Sequence, residues 1–281
     1  MGFIVAFGLL TVDHRLTVVD VPLANQKIVA VDSDLDFGGP AANAAATARV
    51  LGMPARLVTA VGSGMLTDFA LGRLRTLGVD VIDLLADEPG EPSVSTVMVT
   101  QSTGDRTVVS HNALSVRDNL PLAGHELDEA SVLLVDGHHM QTAIRLCQSA
   151  RERGITVLFD GGSWKAGTDQ LLKYVDIAAI SQDFVPPGGD DAMTFVASVG
   201  CRWVVQTCGA QPIRVLQDWC ADEVAVPQVD VVDTLGAGDV FHGALAYFVA
   251  RDAGETFLEH VRQAGVVASQ SCRYKGAHFD N

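Results

Sequence analysis

The feature that most constrains the fold is an alternation of short apolar runs with helix-length segments along most of the chain. Strands separated by such helices are typical of βαβ units and of a mostly parallel sheet. The runs are apolar almost throughout, which indicates strands that are buried on both faces. The predicted strands are residues 3–10, 55–62, 131–137, 155–161, 176–181 and 203–209, and the predicted helices are 40–52, 65–78 and 140–154.

Two segments break this alternation. Residues from about 14 to 38 and from 93 to 110 alternate apolar with polar side chains and are rich in Val and Thr. This pattern is typical of half-exposed antiparallel strands. We therefore expect a small antiparallel β-sheet that lies over a cleft as a lid. Since no break in composition marks a second domain, we expect residues 1–281 to form one α/β domain that carries this lid.

Composition excludes several classes of partner. Asp and Glu number 34 against 19 Lys and Arg, and the formal net charge is −15. Such a surface repels nucleic acids and anionic membranes, and no apolar run reaches the length of a membrane span. The five cysteines are odd in number and form no CxxC motif, which favours reduced thiols and a cytoplasmic protein.

The segment DTLGAGD, from Asp233 to Asp239, indicates a chemical site. Gly236, Ala237 and Gly238 precede a helical pattern, and the N–H groups at a helix start bind anions. A carboxylate at Asp239 could then take a proton from a hydroxyl beside that anion, as phosphoryl transfer requires. The alternative is an ordinary capped helix start. The chain has neither a Walker A loop nor a GxGxxG motif after its first strand.

A second segment, GGPAANAAATARVLG followed by VG, spans Gly38 to Gly62. Together the two segments resemble both signatures of the PfkB (ribokinase-like) carbohydrate kinase family, and particularly its ketohexokinase-like and sulfofructose-kinase-like branches. The alternation of strands and helices extends the resemblance over nearly the whole chain. The matching positions are Gly38, Gly39, Asn43, Gly52 and Gly62 in the first signature, and Asp233, Thr234, Gly236, Ala237, Gly238, Asp239, Gly243 and Ala244 in the second.

The resemblance implies a ribokinase-like αβα sandwich and ATP-dependent phosphorylation of a hydroxymethyl group on a sugar or sugar-like molecule, with Mg²⁺. It implies that Asp239 is the general base and that the amides of Gly236, Ala237 and Gly238 form the anion hole. Asp233 matches a position that often holds K⁺ or another monovalent cation. The alternative for Asp233 is a carboxylate that caps the turn.

The resemblance also implies which residues bind the two substrates. Asp13, which follows the predicted first strand, and Gly38, Gly39 and Asn43 would hold the sugar. A polar residue facing solvent is the alternative for Asn43. The expected nucleotide-binding residues are Thr207, Gly209 and Gly276. In DGHHM, His138 or His139 would touch the sugar, or neither would, and we take His138 as the candidate.

One family element departs from its pattern. Where the family often has NxxE, which helps to place Mg²⁺ and phosphate, this chain has Ser181 and Phe184, and Asp183 is either a substitute or an exposed loop acid. Two other functions stay open: a nucleoside kinase of the adenosine or pseudouridine type, and a catalytically silent ligand sensor. We also expect a homodimer through the lid, because exposed strand edges need cover.

Overall fold

The computed structural model describes residues 2–111, 118–189, 191–251 and 253–277. Its helices are α1 Pro40–Val50, α2 Met65–Thr76, α3 Met140–Glu152, α4 Thr168–Leu171, α5 Ala192–Val199, α6 Ala237–Arg251 and α7 Phe257–Ser271, with a 3₁₀ turn at Leu172–Tyr174. Its strands are β1 Ile4–Phe7, β2 Thr11–Val18, β3 Asp32–Gly38, β4 Ala55–Thr59, β5 Asp80–Asp83, β6 Ser93–Thr100, β7 Arg106–Ser110, β8 Val132–Val135, β9 Thr156–Gly161, β10 Ile177–Ser181, β11 Trp203–Cys208, β12 Gln211–Gln217 and β13 Cys220–Val224.

Nine strands form the main sheet, in the order β13-β12-β11-β10-β9-β8-β1-β4-β5. Every pairing from β11 to β5 is parallel, and the pairings of β11 with β12 and of β12 with β13 are antiparallel. The central strands β1 and β8 are buried along their whole length. This arrangement confirms the mostly parallel sheet that the apolar runs predict.

Helices cover both faces of the main sheet, as the αβα sandwich requires. One core lies between the sheet and the side formed by α1, α2, α6 and α7, and includes Leu57, Leu134 and Phe241. The other lies under α3, α4 and α5, and includes Leu133 and Phe159. None of the helices in the described part of the chain is both long and apolar enough to cross a bilayer.

The lid is the four-stranded sheet β3-β2-β6-β7. Its outer pairings, β2 with β3 and β6 with β7, are antiparallel, whereas the central pairing of β2 with β6 is parallel. The parallel pairing follows from the connections. Strand β2 follows β1 in the chain and β6 follows β5, and β1 and β5 run in the same direction in the main sheet. The two lid strands therefore enter the lid in the same direction.

The boundary between the main sheet and the lid differs from the sequence prediction. The first strand ends at Phe7 and not at residue 10, and the first lid strand begins at Thr11 and not near residue 14. Gly8 has φ +151°, and a Cβ there would lie 2.1 Å from the Asp136 carboxylate. The chain therefore turns at Gly8, and Asp13 lies within the lid instead of at the end of the first strand.

The contact of α1 with α6 is unusually close. The α1 sequence supplies six buried alanines between Ala41 and Ala48. A Cβ placed on Gly243 of α6 would lie 2.5 Å from the carbonyl oxygen of Ala44 and 2.8 Å from the Thr47 Cβ. Small residues on both helices thus allow the two backbones to touch.

Replacing Gly243 with Ala should therefore destabilise the protein, although Ala favours a helix by about 1 kcal/mol over Gly. The added methyl group would force α1 away from α6, and overpacking of this kind costs roughly 1–3 kcal/mol. The free energy of unfolding, measured by urea denaturation, checks this expectation. Gly72→Ala in α2 is the matched control, because a Cβ at Gly72 has nothing within 4 Å, and it should stabilise the protein. An equal gain from both variants would contradict the close contact.

Candidate active site

The lid covers a cavity of about 390 Å³, which we call the lid cavity. The strand register places Asp36, Asp13, Ser95 and Ser110 in one row across the four strands of the lid, and all four line this cavity. Because side chains alternate between the faces of a strand, the inner face of the lid presents carboxylates and hydroxyls to whatever the cavity holds.

A second cavity, of about 380 Å³, lies beside α6 and α7, and we call it the helix cavity. Its wall includes Thr207 and Gly209 from the end of β11 and the apolar side chains of Ile213, Val226 and Phe241. A larger hollow of about 580 Å³, lined by Asp191, Arg214 and Glu223, lies at the β13 edge of the main sheet and contains none of the residues of the DTLGAGD segment.

The loop that begins α6 separates the two cavities. Gly236 and Asp239 line the lid cavity, whereas Ala237 and Gly238 line the helix cavity. Gly236 has φ +72°, a conformation that favours glycine, and a Cβ there would lie 2.4 Å from the Ala277 Cβ. The first N–H groups of a helix lack intrahelical acceptors, so this loop can offer N–H donors to an anion in the helix cavity.

Asp239 is half-buried at the floor of the lid cavity. Its Oδ2 accepts a hydrogen bond of 2.7 Å from the Asn43 side-chain amide. Burial, and after it the negative charge of Asp160, raise the pKa of Asp239 to about 7. A carboxyl group with this pKa is suited to accept a proton near neutral pH.

Asn43 is buried and does not face solvent. Its side-chain nitrogen holds Asp239, and its side-chain oxygen is buried with no hydrogen-bond partner among the described residues. Asn43 and the half-buried Asp239 both line the lid cavity. A buried polar atom without a partner is costly, so the Asn43 oxygen is unsatisfied in the protein alone.

The two glycines before α1 make room at the other side of the lid cavity. A Cβ on Gly38 would lie 2.1 Å from the Asp13 carboxylate, and Gly39, at φ +99°, approaches the Leu9 carbonyl oxygen. Asp13 accepts a hydrogen bond of 2.8 Å from the Thr11 hydroxyl. Burial raises the pKa of Asp13 above its ordinary value, although the Thr11 hydrogen bond opposes this.

Asp233 caps the turn and does not present free oxygens. Its Oδ1 accepts the Leu235 N–H at 2.9 Å, and its Oδ2 accepts the Gly276 N–H at 2.9 Å and the Arg15 guanidinium at 3.1 Å. The Arg15 guanidinium places a positive charge beside Asp233, and the hydrogen bond from Leu235 is that of a turn cap. A monovalent-cation site at Asp233 stays a prediction.

The three expected nucleotide residues divide between the cavities. Thr207 and Gly209 line the helix cavity together with Ala237 and Gly238. Gly276 lines the lid cavity, has φ +77°, and donates its N–H to Asp233. The nucleotide-binding role of all three residues stays a prediction.

His138 lines neither cavity in the described part of the chain. Its ring nitrogen lies 3.0 Å from the Asp136 carboxylate, which also accepts N–H bonds from Leu9 and Ala41. Burial opposes ionisation of Asp136, but His138 and these N–H donors hold the pKa of that carboxyl below its usual range. Asp136 therefore ties the end of β8 to the end of β1 and the start of α1.

Sequence reasoning missed the ion pairs that Arg15 and Arg73 make with acidic residues of the lid and the loop before α6. Arg73 of α2 donates two hydrogen bonds, of 3.0 and 3.1 Å, to the Asp36 carboxylate, and Arg15 joins Asp34 to Asp233. The alternation in the lid strands could have placed Arg15, Asp34 and Asp36 on the inner face. Nothing in the sequence indicates their partners.

The residues at the NxxE position do not fit a metal site. The Ser181 hydroxyl donates to the Gly162 carbonyl oxygen at 2.9 Å, and Phe184 packs in the core against Phe159 and Trp164. Asp183 is an exposed loop acid. These positions therefore form a structural turn in this chain.

The raised pKa of Asp239 implies that the stability of the folded protein depends on pH. Because the folded state binds this proton more tightly than the unfolded chain, the stability that Asp239 contributes is present below about pH 4 and is lost as the pH rises toward 7. Asp239→Asn should therefore gain in melting temperature over the wild type between pH 5 and pH 8. Asp68→Asn, an exposed carboxylate in the first turn of α2, is the control and should show no such trend. A constant difference for Asp239→Asn across this range would contradict the shift.

Comparison with known proteins agrees with this geometry. The model of the pfkB family of carbohydrate kinases matches residues 1–281. The chain is 23% identical to mouse ketohexokinase over 264 residues, which cover 85% of each chain. It is 27% identical to an ATP-dependent ribose-1-phosphate kinase of Halopiger xanaduensis over 241 residues, 83% of this chain and 80% of that protein.

The fold is also that of solved structures. The chain resembles Arabidopsis thaliana ribokinase complexed with ribose and ATP, with a TM-score of 0.78, 21% identity, and coverage of 98% of this chain and 93% of that one. The match over the full length, the anion-binding loop and the carboxylate beside it lead to one conclusion. This chain belongs to the pfkB family of carbohydrate kinases, and it is a phosphotransferase of the sugar or nucleoside kinase type that acts on an alcohol group.

Proposed function

We propose that this protein transfers the γ-phosphoryl group of ATP to a hydroxymethyl group of a sugar or sugar-like molecule. The observation that carries the proposal is the position of the loop between the two cavities. Asp239 lines one cavity, while Ala237 and Gly238 line the other. A hydroxyl in the lid cavity and a phosphate in the helix cavity would meet at this loop.

Asp239 accepts the proton of the acceptor hydroxyl, and the hydroxyl oxygen forms a bond to the γ-phosphorus as the bond to the ADP oxygen breaks. The hydrogen bond from Asn43 to Asp239 Oδ2 fixes the base at 2.7 Å and leaves Oδ1 for the hydroxyl. The loop amides stabilise the charge of the transferring group, as preorganised donors do in other enzymes.

ATP brings its Mg²⁺ to the site, since Mg²⁺ keeps several waters and binds mainly through phosphate oxygens. Thr207, Gly209 and the apolar wall of the helix cavity would hold the nucleotide. The lid reaches this cavity too, because Arg106 of β7 lines it and donates a hydrogen bond of 3.3 Å to the Thr234 hydroxyl. A closed lid excludes water, which otherwise competes as the acceptor.

The lining of the lid cavity favours a polyhydroxylated acceptor over a nucleoside. Asp13, Asp36, Ser95 and Asn43 offer hydrogen-bonding groups to ligand hydroxyls. Phe37 is the one aromatic side chain among the residues that line this cavity. A nucleoside base stacks best on aromatic side chains, and Phe37 alone would have to supply that surface here.

ADP release from Mg-ATP, measured with fructose, ribose, 2-keto-3-deoxygluconate, sulfofructose, adenosine and pseudouridine, tests the proposal. Turnover should occur with a sugar, and Asp239→Asn should reduce kcat roughly 10²–10⁴-fold, the usual contribution of a general base. Asp68→Asn should leave kcat unchanged.

Turnover with adenosine or pseudouridine but with no sugar would show that the acceptor is a nucleoside. Undiminished turnover in Asp239→Asn would contradict the assignment of the base. ATP binding without turnover on any acceptor would favour a ligand sensor.

We further propose that two copies of the chain associate through the outer faces of their lids. On this face Leu35, Val94 and Val109 are 41%, 40% and 64% exposed, and β7 is an exposed edge strand. A second copy would cover both the apolar side chains and the strand edge. Light scattering should give a dimer mass for the wild type and a monomer mass for Val109→Asp. Val185→Asp, at an exposed valine outside the lid, should stay dimeric, and a monomeric wild type would refute the proposal.

A further inference from the structure

A buried cluster of charge lies directly beneath the base. His242 follows Asp239 by three residues in α6, so both project from one face of the helix. Asp160, at the end of β9, meets His242 with its Oδ2 2.9 Å from the ring Nδ1. One ligand-type atom from each of Asp160, Asp239 and His242 lies within 4.8 Å of the others. Neither Asp160 nor His242 lines the lid cavity or the helix cavity.

The burial of this cluster demands an explanation. Asp160 and His242 are each 4% exposed, and removing a charge from water is costly unless an opposite charge compensates it. Two ionised carboxylates at this distance would repel each other, and one of them would bind a proton. A base that must be ionised to act therefore needs a positive charge close by.

A protonated His242 ring could carry this positive charge, because the groups around it are mostly negative or accept hydrogen bonds. The groups that face the ring are Asp160 from β9, Asp239 from its own helix and the backbone carbonyl of Ala179 from β10. Asp136, at the end of β8, faces Asp239 and is itself paired with His138. From α1, the neighbouring side chain is the neutral amide of Asn43. Burial disfavours a charged ring, but Asp160 and Asp239 outweigh it and raise the pKa of His242.

We propose that His242 is a positioning residue that keeps a positive charge beneath Asp239, with Asp160 as its counter-ion, and thereby sets the pH at which the base becomes available. The proposal rests on the function given above, in which Asp239 is the base. In this arrangement Asp160 keeps the imidazole protonated and oriented, and the imidazolium favours the ionised form of Asp239. Neither residue exchanges a proton with the substrate.

The first test is the pH dependence of kcat/KM. In His242→Asn the two carboxylates lose their shared cation, so the acid limb should move up by at least one pH unit. This corresponds to about a tenfold loss at a pH below the limb. Activity should return toward the wild-type value at pH 9, and the KM for the sugar should change little.

The double variant His242→Asn/Asp160→Asn separates charge from packing. It removes one positive and one negative charge together, so its acid limb should return to within about half a pH unit of the wild type. His260→Asn is the matched control, because this buried histidine of α7 lies 3.9 Å from Glu255 and lines neither cavity. Its acid limb should not move.

The second test needs no catalytic activity. In ¹⁵N spectra of the wild-type protein, the His242 ring, assigned by backbone connectivity and by its absence in His242→Gln, should remain an imidazolium at pH 7.5. A neutral His242 at that pH would overturn the proposal, as would an acid limb that stays in place in His242→Asn. A charged His242 in a protein without kinase activity would show that the proposed function had failed and the charge pair had not.

Discussion

The site depends on the contact between α1 and α6. Because Gly243 lets the two backbones touch at Ala44, the start of α1 comes to lie against the start of α6. Asn43 then reaches Asp239 at 2.7 Å, although 196 residues separate them in sequence. A wider helix pair would leave Asp239 without its hydrogen bond from Asn43. The alanines of α1 and the glycine of α6 thus position the proposed base through packing.

The lid is attached to the loop before α6 by an ion pair and by a hydrogen bond to a hydroxyl. Arg15 of β2 pairs with Asp233 at 3.1 Å, and Arg106 of β7 donates to Thr234 at 3.3 Å. Both partners immediately precede the anion-binding residues. Arg15 is largely shielded from solvent, whereas Arg106 is exposed, so the first contact resists screening by salt better than the second. Opening of the lid would therefore release Arg106 at lower cost than Arg15.

Charge in this protein is organised locally against a strongly acidic background. With a net charge of −15, the overall field repels a nucleotide, so a bound nucleotide depends on local donors, for which the start of α6 is our proposal. Around the lid, Asp36 is paired with Arg73 and Asp233 with Arg15. Asp239 instead accepts a hydrogen bond from the Asn43 amide, and its pKa rises because of burial and the negative charge of Asp160.

The sequence by itself determined the fold class and the alternation of strands with helices, and it led to the predictions of an anion-binding loop and of Asp239 as the base. These follow from local rules: the period of apolar residues, the backbone conformations that favour glycine, and the chemistry of a carboxylate beside a helix start. Only the tertiary structure decided that Asp233 is neutralised by Arg15, that Gly276 lies on the lid side of the loop, that β2 pairs in parallel with β6, and that Asp160 meets His242. Each of these pairs residues that are far apart in the chain. Their distance is set by how helices and sheets pack, which no local pattern specifies.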